Sequence, residues 1–235
     1  MSEKHLSSPY DVELLSVSSR VLEMGGLVES QFAKAVSALT SFDGERAEEV
    51  LRDEQRVNAF EVEIDRQLSG IIALRQPTAR DLRLLIAISR IAANLERAGD
   101  EAARTARVVL QLLGVGMPTR LRLPVHDLQF ESEMATELLR KALDAFTRLD
   151  AGAALEVIRQ DRQIDSEFEG LLRKLITYMM EDPRTISSCI DLVFVAKAVE
   201  RIGDHAKNLA EAVIYVVKGT DVRHTPMTEI ERAVQ

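Results

Sequence analysis

Glu200 and Asp204 stand four residues apart in the stretch VERIGDHAKNLAEA, residues 199–212. In an α-helix that spacing stacks two carboxylates on one face, where like charges cost roughly 0.2–0.5 kcal/mol per pair. A multivalent cation reverses the sign. Carboxylate oxygens suit Mg2+, Ca2+, Mn2+ and iron, and acids at i and i+4 on two facing helices can bridge more than one ion. The pattern recurs about 105 residues earlier, as Glu96 and Asp100 in LERAGDEAARTARV, residues 95–108. His205 and Asn208, just beyond Asp204, are candidates for additional metal contacts.

The elements that must position these acids are helices. Alanine, leucine, glutamate and arginine recur along the 235 residues, whereas glycine (11), proline (6) and aromatic residues (4%) are scarce and tryptophan is absent. This composition favours helix over sheet, and the fold class is all-α. Punctuation at 41–45, 75–81, 113–124, 149–153 and 181–184 divides the periodic stretches into six helices. The longest break, LGVGMPTRLRLP, separates two similar halves: VLRDEQRVNAFEVEID in the first matches VIRQDRQIDSEFEGLL in the second. The expected architecture is a pair of antiparallel three-helix bundles produced by internal duplication. The expected boundaries are 8–115 for the first bundle, 116–124 for a linker, 125–219 for the second bundle and 220–235 for a tail.

Hairpin geometry then names partners for the acids, since residues equidistant from a tight antiparallel turn reach the same height. Glu54 and Asn58 lie as far before Pro77 as Asp100 and Glu96 lie after it. Asp161 and Asp165 mirror Asp204 and Glu200 about the Asp182–Pro183 junction. Four carboxylates are thereby predicted to converge in the second half, and three with an amide in the first, with no lysine or arginine evident at the centre. The apolar stripe Leu192, Val195, Val199, Ile202, Ala206, Leu209, Val213, Val216 places the acid pair at the margin of a packing seam. A stripe from Leu84 to Leu112 does the same in the first half. The competing reading is that of a solvated helix face, the usual meaning of a single E-x-x-x-D. It is also the reading given to Glu61 and Asp65, which have no acidic partner at their height.

The net charge of −8 argues against a general nucleic-acid binder, which needs a concentrated basic surface. The lone cysteine, Cys189, sits among apolar neighbours and reads as a core residue of a protein from a reducing compartment. No stretch approaches the ~18 apolar residues of a membrane span, so a cytoplasmic location with membrane association only through partners is expected. Phosphate-loop, H-E-x-x-H and G-x-S-x-G motifs are absent, as are the Glu-x-x-His pairs of ferritin-like bundles.

The doubled LERAGD and VERIGDHAKNLAEAVIYVVKG, the RQPTARDLR turn and the closing GTDVRHT resemble the PhoU family of phosphate-uptake regulators, accessory proteins of the phosphate-specific transport system. The resemblance runs from about Leu15 to Thr225. It implies two three-helix bundles bearing surface metal clusters, with iron or zinc as the ions, in a cytoplasmic and often dimeric protein. Such proteins restrain the phosphate-starvation response by linking the ATPase subunit of the phosphate ABC transporter to a phosphate-responsive sensor histidine kinase. The family's E/D-x-x-x-D motif falls on Glu96 with Asp100 and on Glu200 with Asp204.

Three positions depart from the family pattern. Arg104 stands where the second repeat has Asn208, and Arg107 where it has Glu211, so a guanidinium one turn from Asp100 is expected to compete with metal in the first half. Ala198 stands where asparagine is usual. Asp81 and Arg83 match the family, although Asp81 is accounted for by the helix dipole in a first turn. The leading function is a non-enzymatic, metal-binding signalling adaptor. The alternatives are a carboxylate-bridged metalloenzyme, either an oxidase or a metal-dependent phosphatase, and a purely structural helical scaffold. No nucleophile or convergent base accompanies the acids, so no catalytic residue is assigned.

Overall fold

The computed structural model describes residues 8–114 and 124–235. Six long helices dominate: α1 (Ser8–Ser41), α2 (Gly44–Arg75), α3 (Ala79–Gly114), α4 (Val125–Arg148), α5 (Ala151–Glu181) and α6 (Ile186–Lys218). No strand occurs among the described residues, and no helix is long and apolar enough to cross a membrane. The expected linker falls outside the described residues except for Pro124, which precedes α4. The C-terminal segment, expected as a tail, carries a seventh helix, α7 (Met227–Val234). This helix docks on α5 through buried Ile230 and the Arg159 Nη2–Glu231 Oε1 contact of 2.6 Å.

The duplication is visible in the caps. Asp43 accepts a hydrogen bond from the Arg46 amide at the start of α2, and Asp150 accepts one from the Ala153 amide at the start of α5. Each follows a residue in the left-handed region, Phe42 at φ 52° and Leu149 at φ 48°, that stops the preceding helix. The turns opening α3 and α6 differ. Gln76 and Ala79 carry positive φ in the first, whereas Asp182, Pro183 and a 3-10 turn over Pro183–Thr185 form the second.

Helices α1, α2 and α3 pack against one another, as do α4, α5 and α6; α3 then lies on α6 and α1 on α4. The buried residues of both halves form one continuous hydrophobic cluster rather than two separate cores. Every residue of the α6 stripe is buried, and Cys189 sits in the core. In α3 Leu84 is only partly buried while Leu85 is fully covered, so the seam is shifted slightly at the start of that helix.

Side-chain contacts along the α3–α6 seam fix an antiparallel register. Gln111 donates to Asp191 at 3.3 Å, Arg201 donates to Glu101 at 2.8 Å, and Asn208 donates to Asn94 at 2.9 Å. One position rises as its partner falls, as a two-fold relation between repeats requires. Two of the departures from the family pattern then become one. The repeat-related image of the Asn94–Asn208 pair is Ala198 facing Arg104, so both asparagines of one symmetric pair are replaced together. Ala198 is buried, and Arg104 turns its guanidinium outward, with Nε 3.5 Å from Glu101 Oε2.

Candidate functional site

The glycine of each E-R-x-G-D motif sets the distance between the helices that carry the acids. A Cβ on Gly203 would lie 3.0 Å from Ile164 Cδ1 and 3.2 Å from Asp161 Oδ1; one on Gly99 would lie 3.1 Å from Gln31 Oε1 and 3.2 Å from Val57 Cγ1. The close approach brings α5 against α6 at Asp161 and α2 against α3 near Glu54. It is a requirement for space, since both glycines have ordinary helical backbone.

In the second half the predicted partners meet. Asp161 is almost wholly buried, and its carboxyl lies above the ordinary carboxylate range because burial penalises its charge; Lys207 offsets this, while Asp165 and Glu200 add to it. Asp204 is raised in the same way, by burial first and then by Asp161 and Asp165. The expectation of a centre without lysine is overturned. Lys207 Nζ lies 3.0 Å from Asp161 Oδ2 and Lys197 Nζ lies 2.5 Å from Glu200 Oε2, both at ion-pair distance but outside hydrogen-bond geometry. Each lysine is three positions from an acid on its own helix, a spacing that brings its ammonium back over the cluster.

The first half is arranged differently. Glu54 lies beside Asp100, as the hairpin register predicts, but Arg107 Nη2 donates to both Glu54 oxygens, at 2.7 and 2.8 Å. The competing guanidinium is thus that of Arg107 acting on Glu54 across the seam, and not that of Arg104 acting on Asp100. Asn58 is exposed. Glu61, read from the sequence as solvated surface, belongs with the acids: burial and then Asp65 raise it, and it helps to raise Glu96. Glu96 and Asp100 are both raised, by burial first, then Glu96 by Asp100 and Asp100 by Glu54. Glu61 follows Glu54 by two helical turns, and that periodicity was the available signal. Equal height about the turn does not place it there, but a long glutamate side chain reaches across more than one turn.

His205 and Asn208 point away from these acids. The His205 ring Nδ1 lies 3.0 Å from Asn94 Oδ1, the same oxygen that accepts from Asn208. Both belong to the α3–α6 seam. Among the described residues no three His, Cys, Asp or Glu side chains stand close enough to enclose one ion.

Asp53 and Glu131 are among the buried acids that the sequence pattern does not mark. Asp53 is clamped by Lys34 Nζ at 2.7 Å and Arg56 Nη1 at 2.8 Å, which outweigh the burial that opposes its charge and hold it below the ordinary range. Glu131 on α4 is 2% exposed with neither oxygen hydrogen-bonded, and burial, then Glu167 and Asp127, push its carboxyl up to about 8. In an isolated apolar helix pattern nothing marks either acid as buried.

These features define a duplicated all-α protein in which each half presents carboxylates from two facing helices beside the seam that joins the halves. The PhoU domain family model matches residues 21–109 and 130–213. The phosphate-specific transport system accessory protein PhoU homolog of Burkholderia sp is 48% identical over 95% of both chains, and PhoU of Escherichia coli K12 is 40% identical over 97% of this chain and 93% of its own. The crystal structure of PhoU from Pseudomonas aeruginosa superposes with a TM-score of 0.83 at 44% identity, covering 90% of this chain and all of that one. That of the phosphate transport system regulatory protein PhoU from Streptococcus pneumoniae gives 0.83 at 29% identity. The chain belongs to the PhoU family.

Proposed function

We propose that this chain is a non-enzymatic, cytoplasmic regulator of phosphate uptake and of the phosphate-starvation response. It acts as an adaptor between the ATPase subunit of a phosphate ABC transporter and a phosphate-responsive sensor histidine kinase, and it works as a homodimer. The observation that carries this reading is near-full-length identity of 40–48% to proteins named for the phosphate-specific transport system. Deleting the gene in a strain carrying a phosphate-starvation reporter tests it. Constitutive reporter expression in phosphate-replete medium is expected, and an unchanged reporter would overturn the regulatory role.

Metal ions are part of this proposal. The donors are carboxylate oxygens, which suit Mg2+, Mn2+, Ca2+ and iron, while iron or zinc is what the family resemblance implies. The carboxyls of Asp161 and Asp204 are raised first by burial and then by neighbouring carboxylates, with lysine only partly offsetting this, and Glu200 Oε2 and Asp161 Oδ2 make no hydrogen bond. Asp161, Asp165, Glu200 and Asp204 would hold an ion in the second half once Lys207 and Lys197 swing outward. In the first half Glu96, Asp100 and Glu61 would do so, with Glu54 tied to Arg107 and Asn58 at the margin. A bound ion would supply charge neutralisation that locks the paired helices together. The carboxylates would orient it, and the buried glycine contacts would keep their helices at the required spacing.

A further inference from the structure

On the seam between the halves, where α3, α6 and the loop after α6 meet, lies a cavity of about 180 Å3. Its wall carries the guanidiniums of Arg90, Arg97 and Arg223, the amides of Asn94 and Asn208, and the carboxylates of Glu211 and Asp221. Two of the guanidiniums are fixed in place. Asp221 accepts from Arg223 Nη2 at 2.6 Å and lies 3.7 Å from Arg90 Nη1, while Arg90 also stacks over the Tyr215 ring at 5.1 Å. Arg97 differs from both: it is exposed at the cavity mouth and forms no hydrogen bond or ion pair among the described residues.

The lining sets three guanidiniums, those of Arg90, Arg97 and Arg223, against two carboxylates, those of Glu211 and Asp221. Asn208 spends one amide hydrogen on Asn94 and keeps the other. A planar guanidinium that makes no hydrogen bond or ion pair, with only the longer-range pull of Glu61 and Glu96 on it, beside two that are already oriented, is the arrangement that takes an oxyanion through paired N–H donors.

We infer that this cavity binds a small tetrahedral oxyanion, with Arg97 as the primary donor and Arg90, Arg223 and Asn208 completing the cradle. Glu211 gives the site selectivity. A carboxylate on the wall accepts the hydrogen that hydrogen phosphate carries, whereas sulfate has none to give and meets repulsion, so phosphate is preferred. The inference is independent of the regulatory role, because it is read from the purified chain.

The test is calorimetric titration of the chelator-treated, full-length protein with sodium phosphate at constant ionic strength. Saturable binding is expected, and Arg97→Gln should weaken it about tenfold or more, the loss of one charge-assisted contact. Arg162→Gln, which removes an exposed arginine of α5 outside this cavity, should leave binding unchanged. Sulfate should bind more weakly than phosphate, and Glu211→Gln should narrow that gap. Absence of saturable heat, or equal affinity in the Arg97→Gln protein, would overturn the site. Sulfate binding as tightly as phosphate would overturn the role of Glu211. Sedimentation with phosphatidic acid vesicles without any response to free phosphate would assign the arginines to a lipid headgroup and overturn the free-ion reading.

Discussion

The two halves carry the same doubled motif and neutralise it in opposite ways. In the first, an arginine reaches across the seam from α3 and clamps Glu54, whose side chain is 17% exposed, leaving Glu96, Asp100 and Glu61 raised by burial and by one another, with Arg97 and Arg107 only partly offsetting this. In the second, lysines of α6 itself cover Asp161, 2% exposed, and Glu200. Arg107 holds both Glu54 oxygens through the single nitrogen Nη2 of a planar guanidinium, while each lysine is an ammonium on a flexible stem and the more replaceable counter-ion. On the proposed function, the second cluster is therefore the one whose lysines would give way to a metal ion. The first is half closed by the substitution that placed Arg107 where the repeat has Glu211.

The sharpest contrast between the halves lies away from the motif. Counting back from Phe42 and Leu149, Glu131 occupies the position that Met24 fills in the first half, and both are buried. Met24→Glu should destabilise the protein by more than about 3 kcal/mol, since it buries a charge without a partner. Glu131→Met should have the opposite sign. The folded carboxyl titrates at about 8 against an ordinary 4.5, so the folded state holds this proton more tightly than the unfolded chain does. Its contribution is fully present below pH 4.5 and is lost as pH rises through 8. Melts of Glu131→Met and wild type should therefore diverge with rising pH, the variant gaining about 2–4 kcal/mol by pH 9. Parallel pH profiles would contradict the buried-acid account.

Smaller effects test the counter-ions. Lys207→Ala leaves a nearly inaccessible Asp161 without its cation and should cost about 2 kcal/mol, whereas Arg107→Ala frees a solvent-reached Glu54 and should cost less than about 1 kcal/mol. Equal losses in urea melts would erase the distinction between fixed and replaceable partners. Gly203→Ala and Gly99→Ala should each cost about 1 kcal/mol through overpacking. Only Gly203→Ala should also disturb the Asp161–Lys207 pair, which double-mutant cycles with Lys207→Ala would report as coupling.

The fold was legible because its signals are local and repeated. Helical stripes and two short turns fix each hairpin, and hairpin geometry carried Asp161 to Asp204 and Glu54 to Asp100. The seam between the halves was not legible. No turn joins α3 to α6, so the register that pairs Asn94 with Asn208 and draws His205 away from the acids is set by packing alone. The lysines were missed for a related reason: Lys197 and Lys207 read as solvated until the helix they face is in place. Arg104 and Ala198 appeared as unrelated departures because nothing in one dimension shows that they share a repeat-related position.

The central claim, that the second cluster exchanges its lysines for metal, is tested most directly by melting the Glu200→Ala, Asp204→Ala double variant beside wild type, with metal and after chelator. A filled cluster gains stability from its ligand and an empty one is relieved by losing its acids, so the same substitution has opposite signs in the two conditions. The double variant should melt lower than wild type with metal present, and no lower once both are stripped. Equal melting in both conditions would contradict the claim and reduce these acids to a solvated face.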